Sequence, residues 1–421
     1  MAKRSKAFYL WIIFLLILTA MYIYSALELL AISNTFPKIT LFGKTIDLNT
    51  VIKNYLFIPS PHATVYAPWD LLVAVYVFLV TSGLSIIASW GSLFKIEKYE
   101  IVDRRAVWLS LITLFIGLTA IAIEVGRTER APYFYLGYAN LRSNMLWMIV
   151  FYTGYALFLP FEFWVLIRRD VAHLAKTATG WKRILYKVLT LGITDDSEES
   201  RERDLKIARV LSGIVLAISI GAYTNMASIF STARTFPFHG NPLLQLFYMP
   251  VFFVVLGTLA GLSVLSFAII VTYWAKGQKI EGKLLELLHD IGRLQIVFVI
   301  AYAILLLVWN NIEVYTKIPD PMIIAVEWIA GVVIPLALLL PSTHKGRFML
   351  RLIVSSVSIL AASFAVRYDM VIGRPLVLTE LVPYMPSPLE VMFGVGAIGL
   401  CMLVYTIGEL LLPIREEHVH V

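Results

Sequence analysis

The sequence predicts an all-α polytopic membrane protein with about ten transmembrane helices. Ten apolar stretches, each about long enough to cross a hydrocarbon core of ~30 Å, follow one another along the chain. Hydrophobic residues make up 59% of the 421 residues and charged residues only 15%, whereas soluble domains carry roughly 25% charged residues. The mean hydropathy is +0.80. These observations set a soluble fold aside, and we look for function among the few polar side chains at membrane depth.

The predicted spans are mostly uninterrupted apolar runs. The apolar run of the first is near 25 residues long, whereas the apolar region of a signal peptide has roughly 7–15. We therefore interpret it as a first membrane helix or signal anchor. In order, the spans lie at 8–32, 68–95, 104–126, 145–168, 207–231, 246–275, 290–313, 321–341, 349–367 and 387–413.

The distribution of Lys and Arg predicts the orientation, because cytoplasmic loops carry an excess of these residues. With the N-terminus inside, the inward segments hold 25 of the 35 basic residues. The longest inward connection is 168–209. We therefore predict a multi-pass protein of the cell membrane with both termini in the cytoplasm. Because the basic residues follow this topology, the net charge of +7 does not indicate nucleic-acid binding.

We predict a division of the chain into four parts. Residues 1–67 form an additional N-terminal helix with an outward loop, and 68–231 form a first four-helix bundle with an inward linker at 169–206. Residues 246–367 form a second four-helix bundle, and 387–421 form a C-terminal helix with a cytoplasmic tail. The linker contains an amphipathic piece from Trp181 to Leu191, which favours a solvated surface segment with one interfacial helix. A faint repeat of 78–85 in 256–263, with small residues in both, suggests that the two bundles are related.

Some redox centres are disfavoured by the residues available. A membrane cytochrome b holds haem between histidines on facing helices, whereas all seven histidines here fall in loops, at helix ends or in the tail. We expect no haem in this chain. One cysteine, Cys401, cannot supply the usual four thiolates of an iron–sulfur cluster. We expect no such cluster and no protein metal site.

Candidate functional side chains lie near the predicted outer ends of helices. Glu124 precedes Arg127 by three residues, the spacing of neighbours on one helix face. The two residues are a structural ion pair or a proton-handling carboxylate held by a cation. Asp70 follows Pro68-Trp69 and is either a helix N-cap or a site carboxylate, with the cap favoured.

A second candidate is the polar run Tyr223-Thr224-Asn225, which interrupts the fifth span. Its hydrogen-bonding groups suit a quinone carbonyl and would equally satisfy contacts between helices. Tyr384 is expected to belong to an interfacial belt of aromatic residues, together with tyrosines in the outward loops. Polar side chains therefore concentrate on the outer side, close to apolar helices. This distribution suits a lipid-soluble ligand with a polar head that enters near the outer face.

The order of these segments resembles the NrfD/PsrC family, the membrane subunits of polysulfide reductase-like complexes. The resemblance covers about residues 68–413. It rests on Pro68-Trp69 through Gly83-Leu84-Ser85, Glu124 to Arg127, Arg142 to Trp147, Tyr223-Thr224, Asn241-Pro242 with Pro250 to Gly261, Arg367 to Gly373, and Tyr384 to Glu390.

The resemblance implies a core of two four-helix bundles and a quinone site, of menaquinone type, near one membrane face. It implies two partners, a ferredoxin-like subunit with [4Fe–4S] clusters and a catalytic subunit that is a molybdopterin enzyme or a hydrogenase. Glu124 corresponds to a proton-transfer acid and Tyr223 to a tyrosine that faces the quinone. Some members place Asn and His in the first core helix, where this chain has the apolar run Leu71 to Val75. Asp70 or Tyr76 would substitute there, or the quinone is held differently.

The preferred hypothesis is a quinone-reactive membrane anchor subunit of a respiratory oxidoreductase. It would exchange electrons with an extrinsic iron–sulfur subunit and could conduct protons, with Glu124 and Arg127 in proton transfer and Tyr223, Asp70, Tyr76 and Asn225 near the quinone. The alternatives are a secondary transporter, in which acids bind a coupling ion, and a purely structural anchor. Mostly uninterrupted spans, and acids near the outer ends rather than the midplane, favour the first hypothesis.

Overall fold

A computed structural model describes residues 5–32, 38–41, 44–47, 70–125, 140–232, 243–311, 320–340, 347–374 and 384–415. Within these ranges, ten helical segments are long and apolar enough to cross a membrane. The predicted all-α membrane fold and its ten spans are therefore confirmed. The helices are α1 (Lys6–Ile32), α2 (Leu71–Val80), α3 (Leu84–Ser92), α4 (Glu97–Val125), α5 (Asn144–Thr177), α6 (Trp181–Leu189), α7 (Glu198–Thr232), α8 (Met249–Lys276), α9 (Gly282–Asn311), α10 (Pro321–Trp328), α11 (Ile334–Leu339), α12 (Phe348–Tyr368) and α13 (Pro388–Leu411).

A small antiparallel hairpin lies outside the helices, and the sequence did not predict it. Strand β1 (Lys38–Leu41) pairs with strand β2 (Lys44–Asp47), with Lys38 opposite Asp47. Thr and Ile recur in both strands, and such β-branched side chains suit a pleated strand. The hairpin lies in the predicted outward loop at 33–67.

The second predicted span is broken at its middle, which makes it an exception to the expectation of mostly uninterrupted spans. Helix α2 ends at Val80 and α3 begins at Leu84, with Thr81, Ser82 and Gly83 between them. Gly83 has a φ of +65°, a left-handed conformation that glycine adopts without steric cost. The apolar run of the sequence hid this break because Thr, Ser and Gly are also common inside membrane helices.

The break is closed by close packing on α8 from the other half of the chain. A Cβ atom at Gly83 would lie 2.2 Å from the carbonyl oxygen of Gly257, and one at Gly261 would lie 2.6 Å from that of Ser82. The two stretches with similar sequences, 78–85 and 256–263, therefore lie directly against each other. Small residues allow this approach of two backbones in a membrane.

Further irregular turns occur in later spans. Short π-helical segments lie at Leu244–Tyr248 before α8, at Ile329–Val333 between α10 and α11, and at Asp369–Gly373 after α12. Such segments are frequent at functional sites. The last one places Asp369 and the following Arg374 in the protein interior, where both are fully buried.

Both ends of the described chain lie at one end of the helix bundle. The Ser5 hydroxyl donates a hydrogen bond to the carbonyl of Ala275 at 2.8 Å, and Arg415 donates to the side-chain oxygen of Gln278 at 3.1 Å. We call this the basic end, since it also carries the 168–209 connection. The opposite end, where α2 begins, is called the Asp70 end. Helices α1 and α13 pack along each other, with the rings of Tyr22 and Phe393 4.9 Å apart.

Candidate functional site

A group of buried carboxyls marks the Asp70 end. Asp70 is only 4% exposed, and its Oδ1 accepts hydrogen bonds from the backbone N–H groups of Leu72 and Val73 at 2.8 and 3.4 Å. The predicted N-cap is therefore confirmed, because these are two of the orphan donors of a helix start. The other oxygen, Oδ2, is buried, and the Asp70 carboxyl also interacts with that of Glu124.

Two more acids join Asp70. The carboxyl of Glu124, at the end of α4, interacts electrostatically with Asp70 and with Glu390. Glu390 is fully buried in the first turn of α13, where its carboxylate accepts the backbone N–H of Ser387 at 2.6 Å. This contact is half of a capping box. Carboxyls that share a buried site tend to share protons rather than all ionise, so the cluster can hold and release protons.

Tyr384 links the cluster to the start of α2. Its hydroxyl donates to Glu390 Oε1 at 2.8 Å and accepts the backbone N–H of Leu71 at 2.9 Å. Burial raises the pKa of the Tyr384 phenol, and nearby Glu390 adds to this effect. The hydroxyl therefore stays protonated and can donate. The expectation that Tyr384 belongs to an interfacial belt is wrong, because the side chain is buried and engaged in these contacts.

An apolar groove runs beside the carboxyl cluster. It has a volume of about 390 Å³ and is lined by residues of α2, α12 and α13. Leu71 and Val391 line it, and they are the sequence neighbours of Asp70 and Glu390. Val391 and Ile398 are 46% and 53% exposed, so the groove faces the lipid side of the bundle. The remaining lining residues are Val75, Phe78, Leu79, Phe364, Tyr368, Pro386, Gly394 and Val395.

Tyr76 points away from the lipid, into the core of the helices that follow. It is 1% exposed, and its ring lies 5.8 Å from that of Tyr152 on α5. Further along α5, the hydroxyl of Tyr155 lies 2.7 Å from that of Ser110. Glu162 is 1% exposed on the same helix, toward the basic end. A row of buried polar side chains therefore continues from Tyr76 into the protein.

Tyr223 lies at the break between α2 and α3. Its side chain is fully buried, and its hydroxyl accepts the backbone N–H of Gly83 at 3.0 Å. Across the break, Arg367 donates to the carbonyl of Thr81 at 3.1 Å and to its hydroxyl at 2.8 Å. Arg367 also donates to the carbonyl of Ser363 at 2.9 Å. Tyr223 and Arg367 thus satisfy the backbone groups that the broken helix leaves open.

The rest of the polar run on α7 makes helix contacts. The Thr224 hydroxyl donates to the carbonyl of Ile220 at 2.8 Å, and Asn225 Nδ2 donates to the carbonyl of Asn144 at 3.1 Å. The structure therefore brings Asp70 and Glu124 together and places Tyr223 and Asn225 in other contacts. Arg127 lies outside the described residues.

A second buried charge cluster was not predicted as a unit. Arg374 forms an ion pair with Asp369 at 2.7 Å, with both side chains 0% exposed. The Arg374 guanidinium also lies 3.9 Å from the ring centre of Trp309 and donates to Asn310 at 3.0 Å. Asn310 in turn donates to Glu327 at 3.3 Å. Sequence spacing alone could not join these residues, because they come from three separate helical segments.

Comparison with known proteins agrees with the arrangement of helices. Residues 59–378 match the family described as "Polysulphide reductase, NrfD". The chain belongs to the NrfD family. This NrfD protein is 24% identical over 392 residues to a selenate reductase subunit from Mesobacillus selenatarsenatis, covering 85% of the chain and 89% of that protein. It is also 24% identical over 166 residues to a putative dimethyl sulfoxide reductase membrane subunit from Halobacterium salinarum, covering 39% of the chain and 35% of that protein.

The family match covers one part of the site and leaves another part outside it. Asp70 and Glu124 lie inside the matched residues, whereas α13, with Glu390 and one wall of the groove, lies beyond residue 378. The match itself confirms the resemblance to the NrfD family that the sequence predicts. The C-terminal helix of this NrfD protein adds a carboxyl and an apolar wall to the part that the family match covers.

Proposed function

We propose that this NrfD protein is the quinone-reactive membrane anchor subunit of an oxidoreductase complex in the cell membrane. The observation that carries the proposal is the lipid-facing apolar groove beside the buried carboxyls Asp70 and Glu390 and the half-buried carboxyl of Glu124. The names of the two relatives, a selenate reductase subunit and a dimethyl sulfoxide reductase membrane subunit, support assignment to a reductase complex.

The chemistry of the groove fits a quinone. Its lining is almost wholly aliphatic and aromatic, which suits an isoprenoid tail, and it faces the lipid from which such a ligand enters. Asp70 directly precedes lining residue Leu71, and we propose that its carboxyl, together with that of Glu124, offers a polar contact for a head group. A quinone, for which we propose the menaquinone type, supplies two-electron, two-proton redox chemistry when it is bound.

The residues of this chain would handle the protons of that chemistry. Glu124 and Asp70 interact with each other and with Glu390, so a proton can pass among three carboxyls. Tyr384 holds Glu390 in place through its hydroxyl. Arg127 would hold Glu124, and Tyr76 would begin the row of polar side chains that leads through Tyr155 toward Glu162. Proton conduction along this row belongs to the proposal.

The resemblance to the NrfD/PsrC family implies two partners, and the position of the site suggests where one of them binds. We propose that a ferredoxin-like subunit with [4Fe–4S] clusters binds at the Asp70 end, where electrons from the groove would leave or arrive. A catalytic subunit, a molybdopterin enzyme or a hydrogenase, would complete the complex. Cross-links from residues 127–144 should reach the iron–sulfur subunit. Cross-links found only from residues 168–209 would place the partner at the basic end instead.

The broken second span raises transport as a competing function, since discontinuous helices are common in transporters. Here the open backbone groups are bound by Tyr223 and Arg367, and α8 packs directly on Gly83. The break is therefore filled by protein groups. This favours an anchor over a transporter.

The test uses a matched pair of substitutions in the purified complex. Val391→Trp places a bulky ring in the groove, whereas Val251→Trp places the same ring on lipid-facing α8 at the same end. The two valines are similarly exposed, at 46% and 51%. We expect Val391→Trp to raise the KM for a quinol analogue about tenfold or more and to lower the quinone recovered by extraction. Equal kinetics and equal quinone content in both variants would overturn the proposal.

A further inference from the structure

At the basic end, one buried carboxylate is held by three cations. Glu409 Oε1 lies 2.9 Å from Arg105 Nε, while Oε2 lies 3.1 Å from Lys276 Nζ and 2.7 Å from Arg415 Nε. The Tyr405 hydroxyl also donates to Oε1 at 3.1 Å. The Glu409 side chain is 1% exposed. Three positive charges therefore meet a single negative charge in a largely buried site.

The surrounding ion pairs do not supply the missing negative charge. A cleft of about 460 Å³ opens beside Glu409, and both Lys276 and Arg415 line it. Among the described residues, each other carboxylate at the cleft already pairs with at least one basic side chain, so two positive charges remain in excess around Glu409. Asp170 pairs with Arg104, Glu198 with Arg169 and Arg201, and Asp196 with Lys176 and His173.

One of these cations has a donor to spare, and the other two are partly exposed. Arg105 Nη1 is buried and has no hydrogen-bond partner among the described residues. Lys276 and Arg415 retain 9% and 13% of their side-chain exposure, and that exposure faces the cleft. Like charges this close repel strongly in a partly buried site, and a buried charge needs an opposite charge to compensate its lost hydration. We therefore expect the cluster to bind an anion.

The position of the cleft indicates where that anion comes from. Lys276 is the last residue of α8 and Arg415 follows the end of α13, so both lie where helices leave the membrane. The cleft also has an apolar side, which includes Leu174 and Leu410. Basic pockets between helices at a membrane face are typical sites for anionic lipid head groups.

The amphipathic helix α6 forms one edge of the cleft. Its Tyr186 lines the cleft and donates to the carbonyl of Leu411 at 2.9 Å. Trp181, Ile184 and Val188 share another face and are 60%, 67% and 65% exposed. A helix with such an apolar face, together with nearby lysine and arginine, lies in the plane of the membrane surface. The cleft therefore sits at the level of lipid head groups.

We propose that this cleft binds the phosphodiester head group of an anionic phospholipid from the leaflet at the basic end. Lys276 and Arg415 contact the phosphate, and α6 packs against the acyl chains of the same leaflet. The bound lipid supplies the negative charge that the Glu409 cluster lacks among the described residues. This site is separate from the groove at the Asp70 end, and it does not depend on quinone chemistry.

The test measures retained lipid in the intact complex reconstituted in nanodiscs of phosphatidylcholine mixed with phosphatidylglycerol. Lys276→Gln and Arg415→Gln each remove one cation while Glu409 keeps two partners, so the fold should survive. Lys98→Gln and Arg293→Gln are the matched controls, since each pairs with Asp290 away from the cleft. We expect each cleft variant to retain phosphatidylglycerol about fivefold less well, with both controls unchanged.

Three results would overturn the proposal. One is unchanged phosphatidylglycerol retention in a variant that carries both Lys276→Gln and Arg415→Gln. Another is an equal loss in the controls, which would mean a general surface charge effect. The third is full displacement of the lipid by inorganic phosphate, with equal thermal stabilisation by phosphate alone, which would assign the site to a soluble anion. A thermal scan of each variant checks that folding is intact.

Discussion

Replacing Tyr223 with Phe separates two roles for the residue, as a quinone contact and as a support of the broken span. The Tyr223 hydroxyl accepts the backbone N–H of Gly83, and the side chain is 0% exposed. Phe keeps the ring and deletes only this oxygen. The N–H of Gly83 then stays buried without its partner, which costs about 1–3 kcal/mol.

We therefore expect Tyr223→Phe to lower the stability of the subunit by that amount and to leave the KM for quinol unchanged. The matched control is Tyr302→Phe. Tyr302 is also 0% exposed, but its hydroxyl makes only a long contact of 3.5 Å with the carbonyl of Glu327. A contact of that length is at the limit of hydrogen bonding, so we expect a smaller loss of stability in the control.

The assay is thermal unfolding of the purified complex together with quinol oxidation kinetics on the same samples. The NrfD/PsrC resemblance implies instead that Tyr223 donates a hydrogen bond directly to the quinone. In that case Tyr223→Phe should lower turnover at low quinol concentration several-fold to about tenfold, because one hydrogen bond to a neutral group contributes about 0.5–1.5 kcal/mol. Wild-type stability with a raised KM would refute the reasoning from the helix break.

Four further predictions concern other parts of the chain. Gly83→Ala should prevent stable assembly, because the added Cβ would lie 2.2 Å from the Gly257 carbonyl oxygen. The control is Gly282→Ala, where the glycine has a φ of +60° and open space around it. This control should lower the free energy of unfolding by only about 1–2 kcal/mol, as measured by thermal unfolding. Glu124→Gln should lower quinol turnover on the order of 10²-fold in steady-state assays, since it removes a proton-transfer group, and normal turnover would remove Glu124 from the proposed site. The hydrogen bond from Lys176 lowers the pKa of Asp196 in the folded protein. The small stabilisation that this contact gives should be complete above the unfolded pKa of about 3.9 and should be lost as the pH falls below it. In thermal scans, the stability of Asp196→Asn should not show this dependence on pH. Reporter fusions at Val421 and within 33–67 should report opposite sides of the membrane, and a shared side would contradict the topology.

The sequence predicted the membrane helices well because membrane insertion depends on hydropathy, a property that each residue carries alone. Local chemistry shows the same advantage, since Asp70 caps α2 as expected. The capping box at the start of α13 was not predicted, although Ser387 and Glu390 have its spacing in the sequence.

What the sequence could not predict depends on contacts between distant segments. The break at Thr81 to Gly83 is stable because Arg367 and Tyr223, far along the chain, bind its backbone groups. Tyr384 was assigned to an aromatic belt because its sequence surroundings are interfacial, whereas its position is set by Glu390 and the N–H of Leu71. The excess of cations on Glu409 likewise arises from residues on α4, α8 and the segment after α13. Hydropathy and residue spacing do not predict such contacts between distant segments.

The contact between Gly83 and α8 also limits how the two halves of the molecule can move. Two backbones that touch without side chains between them have nothing flexible to rearrange, so a rocking motion would have to drive the Gly257 carbonyl through the turn at Gly83. Arg367, which donates to both Thr81 and Ser363, ties the halves together at the same depth. The contact therefore disfavours a rocking motion between the two halves. A membrane anchor subunit of an oxidoreductase gains from such restricted motion, because the subunits that bind it then keep the same positions relative to one another.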